Sequence, residues 1–335
     1  MIKNAEPLIG LGLESSCDET SASIVKNGSI ILSNRIFSQI ELHREFSGVV
    51  PEIASRSHLE TINTLIDSAL EEAGIEFSNL DYVAATNRPG LIGSLMIGLQ
   101  SAKTISFTLG IPLIAVNHLE AHLYAPFLEG ENLQYPFMGL LISGGNTALY
   151  RVNGPGEMEL IGKTADDAVG EAFDKISKYL GLGYPGGPVI EELARKAVER
   201  KNFFPRLMTD PGDRRFSYSG LKTAVINHIK NNPEADTAEI VYSFQESALE
   251  LLVRRLFSSA RELGIKRLVV AGGVAANGRL RELLNENRRG DEKIIIPSPL
   301  LCTDNAAMIC GIAYQYFINK KFSPLNSDVH SRIKN

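Results

Sequence analysis

An α/β protein of two duplicated lobes is what this sequence predicts, on three observations. At 335 residues the chain exceeds what one hydrophobic core usually serves. Strand-like and helix-like segments alternate along it, the rhythm of a sheet flanked by helices. A three-stranded meander near the start recurs, with the same order and turn positions, after residue 136.

The first meander runs through Leu8 to Leu13, Ser21 to Val25 and Ser29 to Phe37, broken by turns at 14–20 and 26–28. Its first turn carries Ser15, Ser16, Asp18 and Thr20, small hydroxyls and an acid beside backbone amides that could face a phosphate or a metal. Pro51 to Ala73 is an amphipathic helix, with Ile53, Leu59, Ile62, Ile66 and Leu70 at helical spacing and Gly74 closing it. A strand over 80–86, a turn at Asn87-Arg88-Pro89-Gly90, an apolar helix over 91–109 and a strand over 112–116 follow. The second meander comprises Phe137 to Ile142, Thr147 to Val152 and Glu157 to Gly162. Helices are expected over 166–180, 188–200, 237–264 and 278–285, and strands over 266–271 and 294–296. A loop through Pro205, Pro211 and Gly212 leads to the stretch from Phe216 to Lys222, to which no element is assigned. Asp304 is expected to cap a final helix, and the tail after Lys321 to be loosely held. The lobes are placed at 1–117 and 118–303, with 304–321 packing back on the first.

Composition narrows the class. Apolar content of 44% and charged content of 22% suit a water-soluble globular chain. No stretch of 18 uninterrupted apolar residues occurs, and the first residues lack a leader's apolar run, so a cytoplasmic protein without a membrane segment is expected. Three scattered cysteines make no disulfide framework. A net charge of −5 gives no general attraction for nucleic acid, so an RNA substrate needs a local basic patch or a partner.

Chemistry concentrates at Asn117 to Tyr124. In a helix, His118 and His122 project from one face a turn apart, a two-point metal clamp or two ordinary histidines of an amphipathic helix. Asp304 adds a carboxylate if it is not merely a cap; two imidazoles and a carboxylate suit zinc or ferrous iron. Glu120 stands between the histidines, but not at the spacing of a zinc peptidase. Two glycine turns, Ser143-Gly144-Gly145-Asn146 and Gly272-Gly273 before a helix, are backbone sites for an anion or a nucleotide. With the two meanders they fit the actin-like ATPase (ASKHA) fold. Asp174 and Glu191 flank the Gly186-Gly187 turn, where carboxylates can hold ribose hydroxyls. Arg195, Lys196, Arg200, Lys201, Arg206, Arg214, Arg215 and Lys222, interleaved with aromatics, form either a nucleic-acid face or a solvated surface.

Taken together, these motifs resemble the TsaD family of tRNA threonylcarbamoyladenosine transferases. The matching segments are 12–20, 117–122, 143–147, 169–175, 184–188, 216–224, 272–277 and 302–308, in family order over nearly the whole chain. The resemblance implies transfer of threonylcarbamoyl from threonylcarbamoyl-AMP to N6 of the adenosine beside the anticodon, in tRNAs reading ANN codons, with release of AMP. It implies one divalent metal, Fe(II) or Zn(II), on His118, His122 and Asp304. It implies donor contacts at Leu141, Ile142, Ser143, Gly144, Gly145, Asp174, Gly187, Glu191 and Asn277, and an acidic residue of the first phosphate turn at Asp18, the candidate catalytic base. It also implies partners, a TsaB-like paralogue docking on helices of the first lobe and a TsaE-like small ATPase. The chain departs from the family at Arg88, where glycine is usual. It has Leu141 where archaeal relatives place a metal-binding tyrosine, so three protein ligands are implied. A sugar kinase of the same architecture, a zinc peptidase and a non-catalytic scaffold are the alternatives.

Overall fold

Ten strands pair into two five-stranded sheets in the computed structural model, which describes residues 7–46, 48–132, 134–210 and 212–332. Pro211 and the stretch from Met1 to Glu6, on which the expected lack of a leader rests, lie outside the described residues. The chain forms two compact units, Met1–Leu133 with Thr303–Asn335, and Gln134–Cys302. The first division thus falls after 133 rather than 117, because the two-histidine helix packs within the first unit.

In the first unit the strand order is β3-β2-β1-β4-β5, from β1 (Ile9–Glu14), β2 (Glu19–Lys26), β3 (Ile30–Ser38), β4 (Tyr82–Arg88) and β5 (Leu113–Asn117). The meander is antiparallel, and β4 and β5 add in parallel. Residues Tyr82 to Ala85 are fully buried, as a parallel strand covered on both faces requires. Helices are α1 (Ile40–His43), α2 (Pro51–Ala73), α3 (Ile92–Leu109), α4 (His118–Tyr124) and, from the far end of the chain, α11 (Ala306–Ile318). Helix α2 starts on a proline and ends at Gly74 with φ 65°, the expected start and stop chemistry. Leu11, Leu13, Ile62, Ile66, Leu95 and Leu99 form the core. The described part of the tail, 322–332, is not loose: Ser323 N–H donates to Leu113 O (2.8 Å), His330 N–H donates to Asn87 O (2.9 Å), and Val329 enters the core. A single apolar residue anchored by backbone bonds leaves no periodicity to detect.

The second unit repeats the topology. Its order is β10-β9-β6-β7-β8, from β6 (Phe137–Ile142), β7 (Thr147–Gly154), β8 (Glu157–Lys163), β9 (Arg267–Ala271) and β10 (Lys293–Ile295). Position by position this matches the first sheet, with an antiparallel meander and two parallel strands beside its first member. Its helices are α5 (Val169–Tyr179), α6 (Gly186–Ala194), α7 (Ser219–Asn231), α8 (Thr237–Glu262), α9 (Gly278–Asn287) and α10 (Pro299–Cys302). Helix α6 stops short of the predicted 200, where Arg200 turns left-handed at φ 52°. Helix α7 is new. Its N-terminus is capped from a distant loop, as Asp166 accepts from Tyr218 N–H (2.8 Å) and from the Ser217 and Ser219 hydroxyls. Helix α8 is the unit's central element, burying Phe244, Leu249, Leu252 and Leu256. No helix among the described residues is long and apolar enough to cross a membrane.

Candidate functional site

Helix α4 starts directly off β5. Asn117 caps it, its side chain accepting from Leu119 N–H at 3.0 Å. That cap fixes where the helix begins, and so which face carries His118 and His122. Their Nε2 atoms lie 3.2 Å apart. Asp304 Oδ1 is 3.0 Å from His122 Nε2 and 3.6 Å from His118 Nε2. Asp304 is not the cap of α11. Asn305 fills that role by accepting from Met308 N–H (3.0 Å), which leaves the Asp304 carboxylate for the histidines.

The ring of His118 is oriented by a residue the sequence did not flag. Glu14, fully buried at the end of β1, accepts from His118 Nδ1–H at 3.0 Å. It also accepts from Ser16 N–H and Thr86 Oγ1–H, each at 2.6 Å. With Nδ1 protonated toward Glu14, His118 Nε2 presents its lone pair to the cluster. A signal was available, because a glutamate ending an otherwise apolar buried strand needs a partner. His122 Nδ1 is buried without a hydrogen-bond partner among the described residues.

The electrostatics follow. Burial disfavours the charged form of His118, yet Asp304 and Glu14 outweigh it and hold the imidazole up at about 9. Burial also opposes Asp304 ionisation, but His118 and the bond from His122 bring its carboxyl down to about 2. Two imidazole nitrogens and a carboxylate oxygen, all within 4.8 Å of one another, suit a borderline divalent cation. The facing Nε2 atoms, 3.2 Å apart, need a hydrogen or a metal ion between them. The Asp304 side chain, 19% exposed, marks the cluster's open side.

Nearby, Glu19 is pushed up to about 9 by burial, with Asp304 and Asp18 adding to it, so it holds a proton at neutral pH. Glu120 accepts from the Tyr316 hydroxyl at 2.6 Å and is held by that bond in α11's direction. Arg88 donates to its neighbour Asn87 Oδ1 (3.0 Å).

In the second unit, the expected donor-binding residues gather at the C-terminal edge of the sheet. Leu141 and Ile142 end β6 in full burial, and Ser143 N–H donates to Asn146 O (2.8 Å) to close the turn. Gly144 and Gly145 are not left-handed; their contribution is open space, with nothing within 4 Å of where a side chain would start. Gly272 is left-handed at φ 93°, and a Cβ there would sit 2.4 Å from Ile142 O, which joins the two glycine turns. Asp174 accepts from Gly186 N–H (2.7 Å), and burial raises its carboxyl above the ordinary range. Gly187 is open. Glu191 accepts from Gly278 N–H (2.9 Å). Asn277 caps α9 through Leu280 N–H (2.9 Å) and donates to Gln245 (3.1 Å). Most of the basic stretch is paired at home: Arg195 with Glu191, Lys196 with Glu192, Lys201 with Glu199, Arg206 with Glu250, Arg214 with Glu262, Arg215 with Asp213, and Lys222 with Asp167. Phe204, Phe216 and Tyr218 lie in the core.

Comparison with known proteins gives the family and the fold. Residues 30–310 match the family model described as TsaD, tRNA N6-adenosine threonylcarbamoyltransferase. A protein of that description from Syntrophomonas wolfei is 45% identical over 334 residues, 98% of each chain. One from Kosmotoga olearia is 48% identical over 319 residues, 95% of this chain and 96% of its own. Among solved structures, component A of Acidaminococcus fermentans (R)-2-hydroxyglutaryl-CoA dehydratase superposes with a TM-score of 0.56 at 17% identity, over 92% of this chain and 98% of its own. Full-length HypF in the phosphate- and nucleotide-bound form gives 0.62 at 15% identity, over 94% of this chain and 47% of its own. These structural likenesses show the actin-like fold, and the sequence matches show more: the chain belongs to the TsaD family of tRNA N6-adenosine threonylcarbamoyltransferases.

Proposed function

We propose that the chain takes threonylcarbamoyl from threonylcarbamoyl-AMP and passes it to N6 of the adenosine beside the anticodon. The N6 nitrogen attacks the carbamoyl carbon. A C–N bond forms, the bond from that carbon to the phosphate oxygen breaks, and AMP leaves with the electron pair. The adenine amine is a weak nucleophile, so alignment of the reacting groups supplies much of the rate.

Gly144 and Gly145 lie in open space on the turn that the Ser143 N–H closes, and their backbone N–H groups suit an oxyanion or a phosphate. Leu141 and Ile142 position that turn; Asp174, Gly187, Glu191 and Asn277 hold the adenosine half of the donor. Asp18 accepts the proton lost from N6, while its neighbour Glu19 stays protonated. His118, His122 and Asp304 would hold one zinc or ferrous ion, which when bound would supply Lewis-acid chemistry.

The convergence of those three side chains, from α4 and from the residue two before α11, carries the proposal. Partners fit the surface of the first unit: Leu59 on α2 and Ile92, Met96 and Phe107 on α3 are exposed apolar residues, suited to a TsaB-like paralogue. A TsaE-like ATPase and a cytoplasmic setting complete the assignment. The test is nucleoside mass spectrometry of bulk tRNA from cells depleted of their own transferase. Wild type restores threonylcarbamoyladenosine, and His118→Ala or Asp304→Ala does not. Full rescue by either variant overturns the metal assignment.

A further inference from the structure

At the opposite edge of the second sheet, where β6, β9 and β10 begin, lies a cavity of about 470 Å³. Four cations line it, Arg151, Lys266, Arg267 and Lys293, against one carboxylate, Asp291. Lys266 is paired with Asp291 at 2.6 Å. Arg151 and Arg267 have neither an ion pair nor a side-chain hydrogen bond among the described residues, and Arg151 Nε is shut off from water.

That is exceptional within the unit. Every other buried or half-buried arginine there donates to a carboxylate or a backbone carbonyl: Arg214 to Glu262, Arg254 to Glu250, Arg255 to Asp210, Arg279 to Glu246 and Arg281 to Ala275. Arg151, whose Nε is shut off from water, and half-buried Arg267 both line one cavity with no acceptor for their guanidinium groups among the described residues, and a guanidinium drawn from water without an acceptor is costly. Guanidinium forks match a phosphate's paired oxygens.

We propose that this cavity takes a backbone phosphate of the tRNA substrate. It lies the length of β6, about 20 Å, from the Ser143 turn. A single nucleotide held at that turn cannot reach it, but an RNA stem can. On a chain of net charge −5 such a local patch must supply what the whole surface does not. The inference rests on tRNA being the substrate and not on the transfer chemistry.

The test uses the full-length chain, wild type and an Arg151→Gln/Arg267→Gln double variant. Binding of unmodified tRNA is followed by fluorescence anisotropy across a KCl series. Loss of that phosphate contact weakens tRNA binding roughly tenfold or more and makes the log–log salt slope shallower by about 1. An Arg151→Lys/Arg267→Lys variant keeps most of the slope. Because neither arginine has a hydrogen-bond or ion-pair partner among the described residues, the Gln variant melts at or above the wild-type temperature; a structural role would lower it. Unchanged tRNA affinity and slope overturn the proposal. So does protection of wild type alone by inorganic phosphate in thermal melts while tRNA binding is retained, which makes this a small-anion site. Loss of tRNA binding in the variant supports the inference even if wild type transfers nothing, so the two proposals fail separately.

Discussion

Replacing Glu14 by Gln keeps the size of the buried side chain and, with the amide oxygen kept on Ser16 N–H, reverses the hydrogen bonds to Thr86 and His118. The carboxylate accepts from Ser16 N–H, Thr86 Oγ1–H and His118 Nδ1–H. An amide can keep one oxygen as acceptor, but its NH₂ must face a donor. Against Ser16 N–H no adjustment is available. Against His118 the ring can move its proton from Nδ1 to Nε2 and accept from the amide. That puts a hydrogen where the lone pair is needed, 3.2 Å from His122 Nε2. Loss of an outer-shell partner of this kind costs about 10–100-fold in metal affinity, equivalent to about 1.4–2.8 kcal/mol. Glu14→Ala is the poorer experiment, because it leaves the buried Ser16 N–H and Thr86 hydroxyl without that acceptor at about 1–3 kcal/mol each, while His118 Nδ1 can turn to Ser16 Oγ, 3.2 Å away. The assay is competition for zinc against a chromophoric chelator, with far-UV circular dichroism to confirm folding. A folded Glu14→Gln protein that binds zinc as tightly as wild type would refute the tautomer argument, provided His118→Ala binds weakly in the same titration.

Other expectations follow from the same geometry. Without metal, His118 is held up at about 9 against an ordinary 6.5. Its contribution to stability is complete below the ordinary value and lost as pH rises through about 9; zinc displaces the proton, so affinity rises over that window, and calorimetry in buffers of different ionisation enthalpy will count the proton released. Asp304→Asn removes the charge that raises His118, so zinc content falls and the His118 imidazole titrates lower by NMR. Gly170→Ala places a Cβ 2.7 Å from Ser143 O, lowers stability by about 1–3 kcal/mol and shifts the Ser143 turn; a denaturant midpoint equal to wild type would exclude that contact. Asp166→Ala uncaps α7 and costs about 1 kcal/mol, measured as helix signal and midpoint in urea.

Both sheets were legible in the sequence because their strands are short runs bounded by turn residues, and the repeat of three such runs predicts the doubling. His118 and His122 were legible because one cap and a four-residue spacing determine their shared face. Glu14 was not, since its partners come from residues 16, 86 and 118, and no local pattern records a contact across that separation. Helix α7 escaped for a similar reason: its cap is Asp166, more than fifty residues before it. Asp304 and Asn305 are both competent caps, and composition cannot choose between neighbours; the histidines do. The basic stretch from Arg195 to Lys222 reads as a charged face only while its acidic partners, such as Glu250 and Glu262, are remote in sequence.

The first unit is built from both ends of the chain, and this dictates an order of events during synthesis. Asp304 and α11 leave the ribosome only after the whole of Gln134–Cys302 has been made. At ~5–20 residues per second that is a delay of roughly 10–30 s. Through that interval β1 and α4 lack the helix that covers them, and the histidines lack their carboxylate. Any chaperone that shields nascent chains therefore meets this protein at the sheet face awaiting α11. The three-residue cluster is complete only once Asp304 has been made, and a chain cut short between residues 122 and 304 has both histidines without their carboxylate.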